Sequence, residues 1–171
     1  LWPSLTPEAA MRDFKVALNM LNKVLEPARS TVSPFAFIVR EGSIYFIRPE
    51  ADLWLDAAVF EQAAETGLRP GEANLPPSAE AMSHLEKAVC LYGGDFLPDA
   101  LYDDWAGEER ERLLALYLRA ANRLAEGLIE RGDFDEGLAT CQAILARDSC
   151  WEQAYRLMMT AYARQGNRPQ A

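Results

Sequence analysis

From Thr6 to Glu26 the apolar positions recur at steps of three and four, so that Ala10, Phe14, Ala17, Leu18, Leu21 and Leu25 share one side of a predicted helix. Thr6-Pro7-Glu8 opens it with an N-cap, a proline at the first helical position and an acid in the first turn. Pro27 stops it. The opposite side holds Arg12, Lys15, Asn19, Asn22 and Lys23, which are expected to face solvent while Phe14, Leu18, Leu21 and Leu25 pack inward. The pattern then shortens to two apolar runs, Phe35 to Val39 and Ile44 to Ile47, around Arg40-Glu41-Gly42-Ser43. This predicts a β-hairpin with Gly42 in the positive-φ position and Arg40 and Arg48 flanking it.

Beyond the hairpin every periodic stretch is helical. Asp56 is the expected N-cap of a helix that runs to about Thr66 and ends at Gly67, and residues 67–77 read as a loop. Ser78 caps the next helix, with Ala81, Leu85, Ala88, Val89 and Tyr92 on its apolar side and Gly93-Gly94 as its break. Asp103-Asp104 start a long helix to about Arg131, acidic at its start and basic at its end as the macrodipole prefers. Helices at about 134–147 and 151–165 follow, with Asp133 and either Asp148 or Ser149 as N-caps. The expected core is Phe60, Leu85, Val89, Tyr92, Trp105, Leu113, Leu116, Leu124, Leu128, Leu138, Leu145, Tyr155, Leu157, Met158 and Tyr162.

Two glycine–polar steps, Gly132-Asp133 and Gly166-Asn167, lie 34 residues apart, and their surroundings align. Ala120 falls on Ala154, Leu124 on Met158, Leu128 on Tyr162, Ile129 on Ala163 and Gly137 on Ala171. That period, with a turn between amphipathic stretches, is the tetratricopeptide spacing. Such repeats bury their apolar faces only against neighbours, so the chain is expected to be a piece of a longer protein. The predicted fold is mainly α: tetratricopeptide-like antiparallel helix pairs, preceded by one helix and a hairpin.

Charge divides the 171 residues unevenly. Residues 1–50 carry six basic and five acidic side chains, a net +1, whereas residues 51–171 carry eleven basic and twenty-one acidic, a net -10. An acidic body repels phosphate backbones, so any DNA contact is confined to residues 1–50. There, a helix bearing Arg12, Lys15, Asn19, Asn22 and Lys23 has the side chains that read guanine and adenine in a major groove. The hairpin, with Arg40 and Arg48, could rest on the phosphates. The competing expectation is an ordinary solvated helix face. No run of apolar residues is long enough for a membrane span. Cys90, Cys141 and Cys150 form no CxxC pair and are expected as reduced, buried or half-buried residues of a cytoplasmic protein.

Candidate chemistry is sparse. Leu91-Tyr92-Gly93-Gly94-Asp95-Phe96-Leu97-Pro98-Asp99 lacks the lysine and preceding strand of a phosphate loop, and reads as a helix stop with Phe96 and Leu97 plugging the core. Asp103, Asp104, Glu108, Glu109 and Glu111 read as a solvated helix start, with Glu108 facing Arg112. His84 is the lone histidine. No catalytic residue, cofactor or metal site is predicted.

Together, residues 52–61 (Asp-Leu-Trp-Leu-Asp-Ala-Ala-Val-Phe-Glu), 91–99, 103–113 (Asp-Asp-Trp-Ala-Gly-Glu-Glu-Arg-Glu-Arg-Leu) and the tail from Glu152 to Arg168 resemble the bacterial transcriptional activator domain. Leu1-Trp2-Pro3, the helix to Leu25 and the hairpin to Arg48 resemble the second half of a response-regulator-type winged helix. The resemblance implies residues 1–50 as part of a winged-helix DNA-binding domain, with a recognition helix and a wing. It implies residues 51–171 as a tetratricopeptide-like activator domain, truncated in its last repeat. The implied role is transcription activation without enzymatic activity. Residues 1–50 would contact DNA in the intact parent. The helical body would contact a protein: itself, an upstream regulatory domain or RNA polymerase. The alternative is a tetratricopeptide scaffold that binds protein and not DNA.

Overall fold

The computed structural model describes residues 4–28, 35–69, 76–101 and 103–167. Leu1-Trp2-Pro3, Arg168 and the match of Gly137 to Ala171 lie outside them. The chain divides into two compact units, Leu1–Trp54 and Leu55–Ala171.

In the first unit, α1 (Pro7–Leu25) begins where the Thr6 hydroxyl accepts from the Ala9 amide at 3.4 Å. β1 (Ile38–Glu41) pairs antiparallel with β2 (Ile44–Ile47), from Ile38 opposite Ile47 to Glu41 opposite Ile44. Gly42 takes the tight turn at φ 61°. The first strand therefore starts three residues later than the apolar run suggested. The Phe37 carbonyl still accepts from the Arg48 amide at 2.7 Å, but the other paired backbone groups of residues 35–37 bond to side chains. The Glu26 carboxylate accepts from the Ala36 and Phe37 amides at 2.8 and 3.4 Å. The Arg48 guanidinium donates to the carbonyls of Ala36 and Phe35 at 3.1 and 3.3 Å.

Phe14 meets Tyr45 edge to face, with ring centroids 5.0 Å apart. Leu18 and Leu25 are half-buried, as expected, but Leu21 is 47% exposed and Asn22 only 4%. Phe14, Leu18 and Asn22 are separated by four residues each and form one row along the helix. The sequence reading grouped Asn22 with the polar side by its chemistry, whereas its angle groups it with the phenylalanine. Its Oδ1 is shut in without a hydrogen-bond partner.

The second unit contains α2 (Asp56–Gly67), α3 (Ala79–Leu91), a short 3-10 turn (Pro98–Ala100), α4 (Asp104–Arg131), α5 (Phe134–Arg147) and α6 (Glu152–Arg164). Their contacts give their directions. A Cβ on Gly67, at the end of α2, would lie 2.7 Å from Leu85 Cγ and 3.1 Å from the Ala81 carbonyl of α3. Gly127, late in α4, sits against Met82, early in α3, and Gly137, early in α5, sits against Ile129, late in α4. The Trp151 indole donates to Asn122 at 3.2 Å and Arg164 to Glu130 at 2.9 Å, so α6 runs along α4 in the same direction. Successive helices are thus antiparallel, as tetratricopeptide-like pairs require.

The 34-residue period appears in the backbone bonding. Asp133 N–H donates to the Leu128 carbonyl at 2.9 Å and Gly132 N–H to Ile129 at 3.2 Å. One period on, Asn167 donates to Tyr162 at 2.9 Å and Gly166 to Ala163 at 3.1 Å. Gly132 and Gly166 make both closures at φ 94° and 77°. This is a Schellman-type stop, which favours glycine because a side chain there meets the backbone. Ala120 and Ala154, also a period apart, are both fully buried.

Phe60, Leu85, Leu113, Leu124, Leu128 and Leu138 are buried as expected, and Val89, Tyr92, Leu116, Leu145, Leu157, Met158 and Tyr162 are half-buried against them. Trp105 and Tyr155 are exposed instead. In each case the adjacent alanine, Ala106 or Ala154, occupies the inward position and is fully buried. Three ends also differ. Gly67 is the last residue of α2, chosen for close approach. Leu55 is the N-cap of α2, and Asp56 bonds the Ala57 amide from within the helix at 2.8 Å. Trp151, not Asp148 or Ser149, is the N-cap of α6, with Asp148 accepting from the Cys150 amide at 2.8 Å.

Candidate functional site

The side chains singled out for DNA do not share one fate. Arg12, Lys15, Asn19 and Lys23 are exposed along α1, with Arg12 Nε 3.3 Å from Asp13 Oδ1. Asn22 is buried, which corrects its expected exposure. Arg40 is exposed, donates to the Gly42 carbonyl at 2.7 Å and lies over the Tyr45 ring at 5.5 Å. Arg48 is half-buried and holds the approach to its own hairpin. The exposed cations of this unit are accompanied by exposed apolar side chains: Met11, Val16, Met20, Leu21 and Val24 on α1.

In the helical unit the three sequence blocks spanning 52–61, 91–99 and 103–113 converge on one cleft of about 550 Å³. Asp56, Ala57 and Phe60 of α2 form one wall, residues 91–98 another, and Leu113 of α4 the floor. Phe60 and Tyr92 have ring centroids 5.4 Å apart, and Tyr92 stacks on Tyr117 at 4.3 Å. Phe96 packs against the core as predicted, but Leu97 does not plug it. Leu97 is 40% exposed and is the only non-glycine residue at positive φ, 49°, among the described residues. A branched side chain adopts that conformation only where neighbours impose it. Arg110 does so here, donating to the carbonyls of Phe96 at 3.1 Å, Ala100 at 3.0 Å and Leu101 at 3.4 Å.

Among the described residues the cleft's polar groups are few. Asp56 and Asp95 stand at it, and Arg147 lies 4.0 Å from Asp95 and 5.8 Å from the Tyr92 ring centroid. The Tyr92 hydroxyl is buried without a hydrogen-bond partner. Burial, then the Asp95 charge, raises its pKa above the ordinary tyrosine value against the lowering effect of Arg147. Burial raises Tyr117 as well. None of these groups forms a nucleophile–base pair. By its own residues the 91–99 segment reads as a helix stop with Phe96 and Leu97 plugging the core, with no cleft implied. The three blocks carry one resemblance in the sequence, but nothing in it brings Asp56, Phe60, Tyr92, Phe96 and Leu113 to one cleft.

Elsewhere, Arg112 pairs with Glu109 at 2.7 Å and with Glu61, and not with Glu108 as expected from the i,i+4 spacing. Glu61 of α2 reaches α4, so the pair links two helices. His84 is half-buried on α3. Cys141 is buried, but Cys90 and Cys150 are exposed, contrary to expectation. Both stand on the outward sides of their segments, where a small apolar residue costs little. Burial pushes the Cys141 thiol up to about 11. Among the described residues no group of three or more His, Cys, Asp or Glu could hold a metal ion. No described helix is long and apolar enough to cross a membrane.

No curated protein and no solved structure matches the chain. A family model does, over residues 55–171, which include α2 to α6 and the described residues lining the cleft. The match covers more than half of the chain and describes a transcriptional-activator-type module, not an enzyme family: the chain belongs to the bacterial transcriptional activator domain family.

Proposed function

We propose that this chain is part of a bacterial transcriptional regulator. Its helical unit contacts protein, and α1 with the β1–β2 hairpin belongs to a winged-helix DNA-binding domain, α1 as recognition helix and the hairpin as wing. The observation that carries the DNA reading is the exposed row Arg12, Lys15, Asn19 and Lys23 on α1, in the one part of the chain with net positive charge. Arg40 on the hairpin supports it as a phosphate contact. Neither catalysis nor a cofactor is expected, and the setting is the bacterial cytoplasm. The protein partner is a second copy, an upstream regulatory domain or RNA polymerase.

A second reading, a tetratricopeptide scaffold without DNA binding, is favoured by Asn22 and Arg48. One is buried and the other is committed to backbone carbonyls, so neither is offered to a nucleic acid. A salt-series titration of the parent regulator on its DNA separates the two. Arg12→Ala or Lys15→Ala should weaken binding by about 1–3 kcal/mol if the residue reads a base, and loss of a phosphate contact should reduce the salt slope by about one. Unchanged affinity in both variants would leave the scaffold reading. This chain alone should bind the same DNA poorly, given the net charge of -10 on residues 51–171.

A further inference from the structure

We infer that the cleft between α2 and the 91–98 segment receives an apolar side chain from a basic segment of a partner protein. The inference rests on the reading that the helical unit contacts protein, and it names where and with what chemistry. The space is about 550 Å³, its lining includes Phe60, Leu91, Phe96 and Leu113, and its volume exceeds what one side chain needs. Among the described lining residues the charged groups are Asp56 and Asp95 alone, fewer than the convergent polar set of a small-molecule site. An aromatic or aliphatic residue at the centre of an interface, with polar neighbours at the rim, fits this shape better.

The charge of the partner follows from the rim and the unit behind it. Asp56 lies at the cleft with its Oδ1 bonded only to the Ala57 amide, and Asp95 lies there with Arg147 at 4.0 Å. Arg147 offsets one of the two carboxylates, while Asp56, at the N-terminus of α2, has no cationic side chain paired with it among the described residues. Residues 51–171 as a whole carry -10, so a cationic segment is steered toward this unit and an anionic one is turned away.

The wall is also the strained part of the unit. Leu97 is held at φ 49° by three hydrogen bonds from Arg110, and the Tyr92 hydroxyl is closed in without a partner. A helix stop alone requires neither. A fixed, costly backbone beside an apolar cleft is what a preorganised recognition surface shows.

The test uses the full chain, labelled for NMR, and three short capped peptides: leucine and phenylalanine between lysines, the same pair between glutamates, and serines between lysines. The first peptide should shift the amides of residues 56–60 and 91–98, with the other two causing little change at equal concentration. Gly93 supplies the occluding variant. A Cβ there meets nothing within 4 Å and its φ lies outside the left-handed region, so Gly93→Leu should fold normally and fill the mouth. It should weaken the first peptide about tenfold or more, and Asp56→Asn severalfold, while thermal melting is unchanged. Equal binding of the glutamate or serine peptide, shifts elsewhere on the unit, or unaltered binding by Gly93→Leu would overturn the inference. So would concentration-dependent shifts at the cleft without peptide, which would assign it to a second copy. In the parent regulator, Gly93→Leu should lower transcription activation with DNA affinity retained. If activation instead depends on other surfaces of the helical unit, the cleft is wrong while the protein-contact function stands.

Discussion

The two units use the same apolar residue types to different ends. In the helical unit, Leu85, Ile129, Ile144 and Cys141 are almost wholly enclosed, and alanines and glycines at the crossings let the helices come close enough to enclose them. In the first unit, among the described residues only Ile38 and Asn22 are buried, while Val16, Met20, Leu21 and Val24 stand in solvent along α1. Composition does not explain the contrast, since α1 is as apolar as α4. The difference is in neighbours: α4 has α2, α3, α5 and α6 around it, whereas α1 has a four-residue-stranded hairpin against one row. An amphipathic helix is stabilised by what its face meets, so a strong apolar pattern alone does not make a core.

The largest expected effect tests the enclosed side. Leu85→Ala and Ile144→Ala should each cost about 2–5 kcal/mol in urea unfolding, because neither cavity can collapse against such close helices. Losses below about 1 kcal/mol would mean that the helical unit is loosely packed and that the contrast with the first unit is false.

Alkaline pH sharpens the same contrast. Cys141 ionises at about 11 when folded, against an ordinary value of 9.0, and burial raises Tyr92 and Tyr117 in the same direction. Between pH 9 and 11 the unfolded chain therefore binds fewer protons than the folded one, and stability falls as pH rises. The contribution is fully present below pH 9, and Cys141 alone should account for a loss of about 2–3 kcal/mol across the window. Urea titrations at about pH 7 and about pH 10.5 measure it, and Cys141→Ala should flatten the dependence despite its own packing cost. An equal alkaline loss in that variant would place the titrating group elsewhere.

Two glycines in helices give a smaller pair of effects with opposite signs. Gly67→Ala should cost about 1–3 kcal/mol, because its Cβ would press on Leu85 and the Ala81 carbonyl. Gly107→Ala should stabilise by about 0.5–1 kcal/mol, because its Cβ meets nothing within 4 Å and alanine is the better helix former. Equal effects at the two sites would show that backbone propensity, not close packing, sets the cost.

These pairs show which parts of the fold are written locally. The glycine stops at Gly132 and Gly166 were legible because the closure uses backbone atoms within six residues, and the period repeats it. Helix limits along α4 and α5 were legible for the same local reason. The start of β1 was not, because Glu26 and Arg48 take its backbone groups from about ten residues away on either side. The burial of Asn22 required the helix angle to be weighed above residue type. Trp105 and Tyr155 are exposed while their neighbours Ala106 and Ala154 are buried, a choice that depends on how the helices pack and not on residue type alone. The cleft is the extreme case. Its residues come from three stretches that read separately as a helix start, a helix stop and an acidic run, and only their packing joins them.

The smallest predicted effect is the most direct test of the exposed side. Met20 and Val24 are 63% and 76% exposed, so serine there removes few contacts from the folded state. Met20→Ser and Val24→Ser should change unfolding free energy by less than about 0.5 kcal/mol, as substitutions at open surface do. Apolar side chains left in water are also the usual seat of association, so both variants should be more soluble and no less stable. A loss above about 1 kcal/mol at either position would mean that something covers this face in solution, because serine cannot lose packing that was never made. If the loss grows with protein concentration, the cover is another copy of the chain. If it does not, α1 is packed within its own chain, and the two units differ less in their enclosure than their side chains indicate.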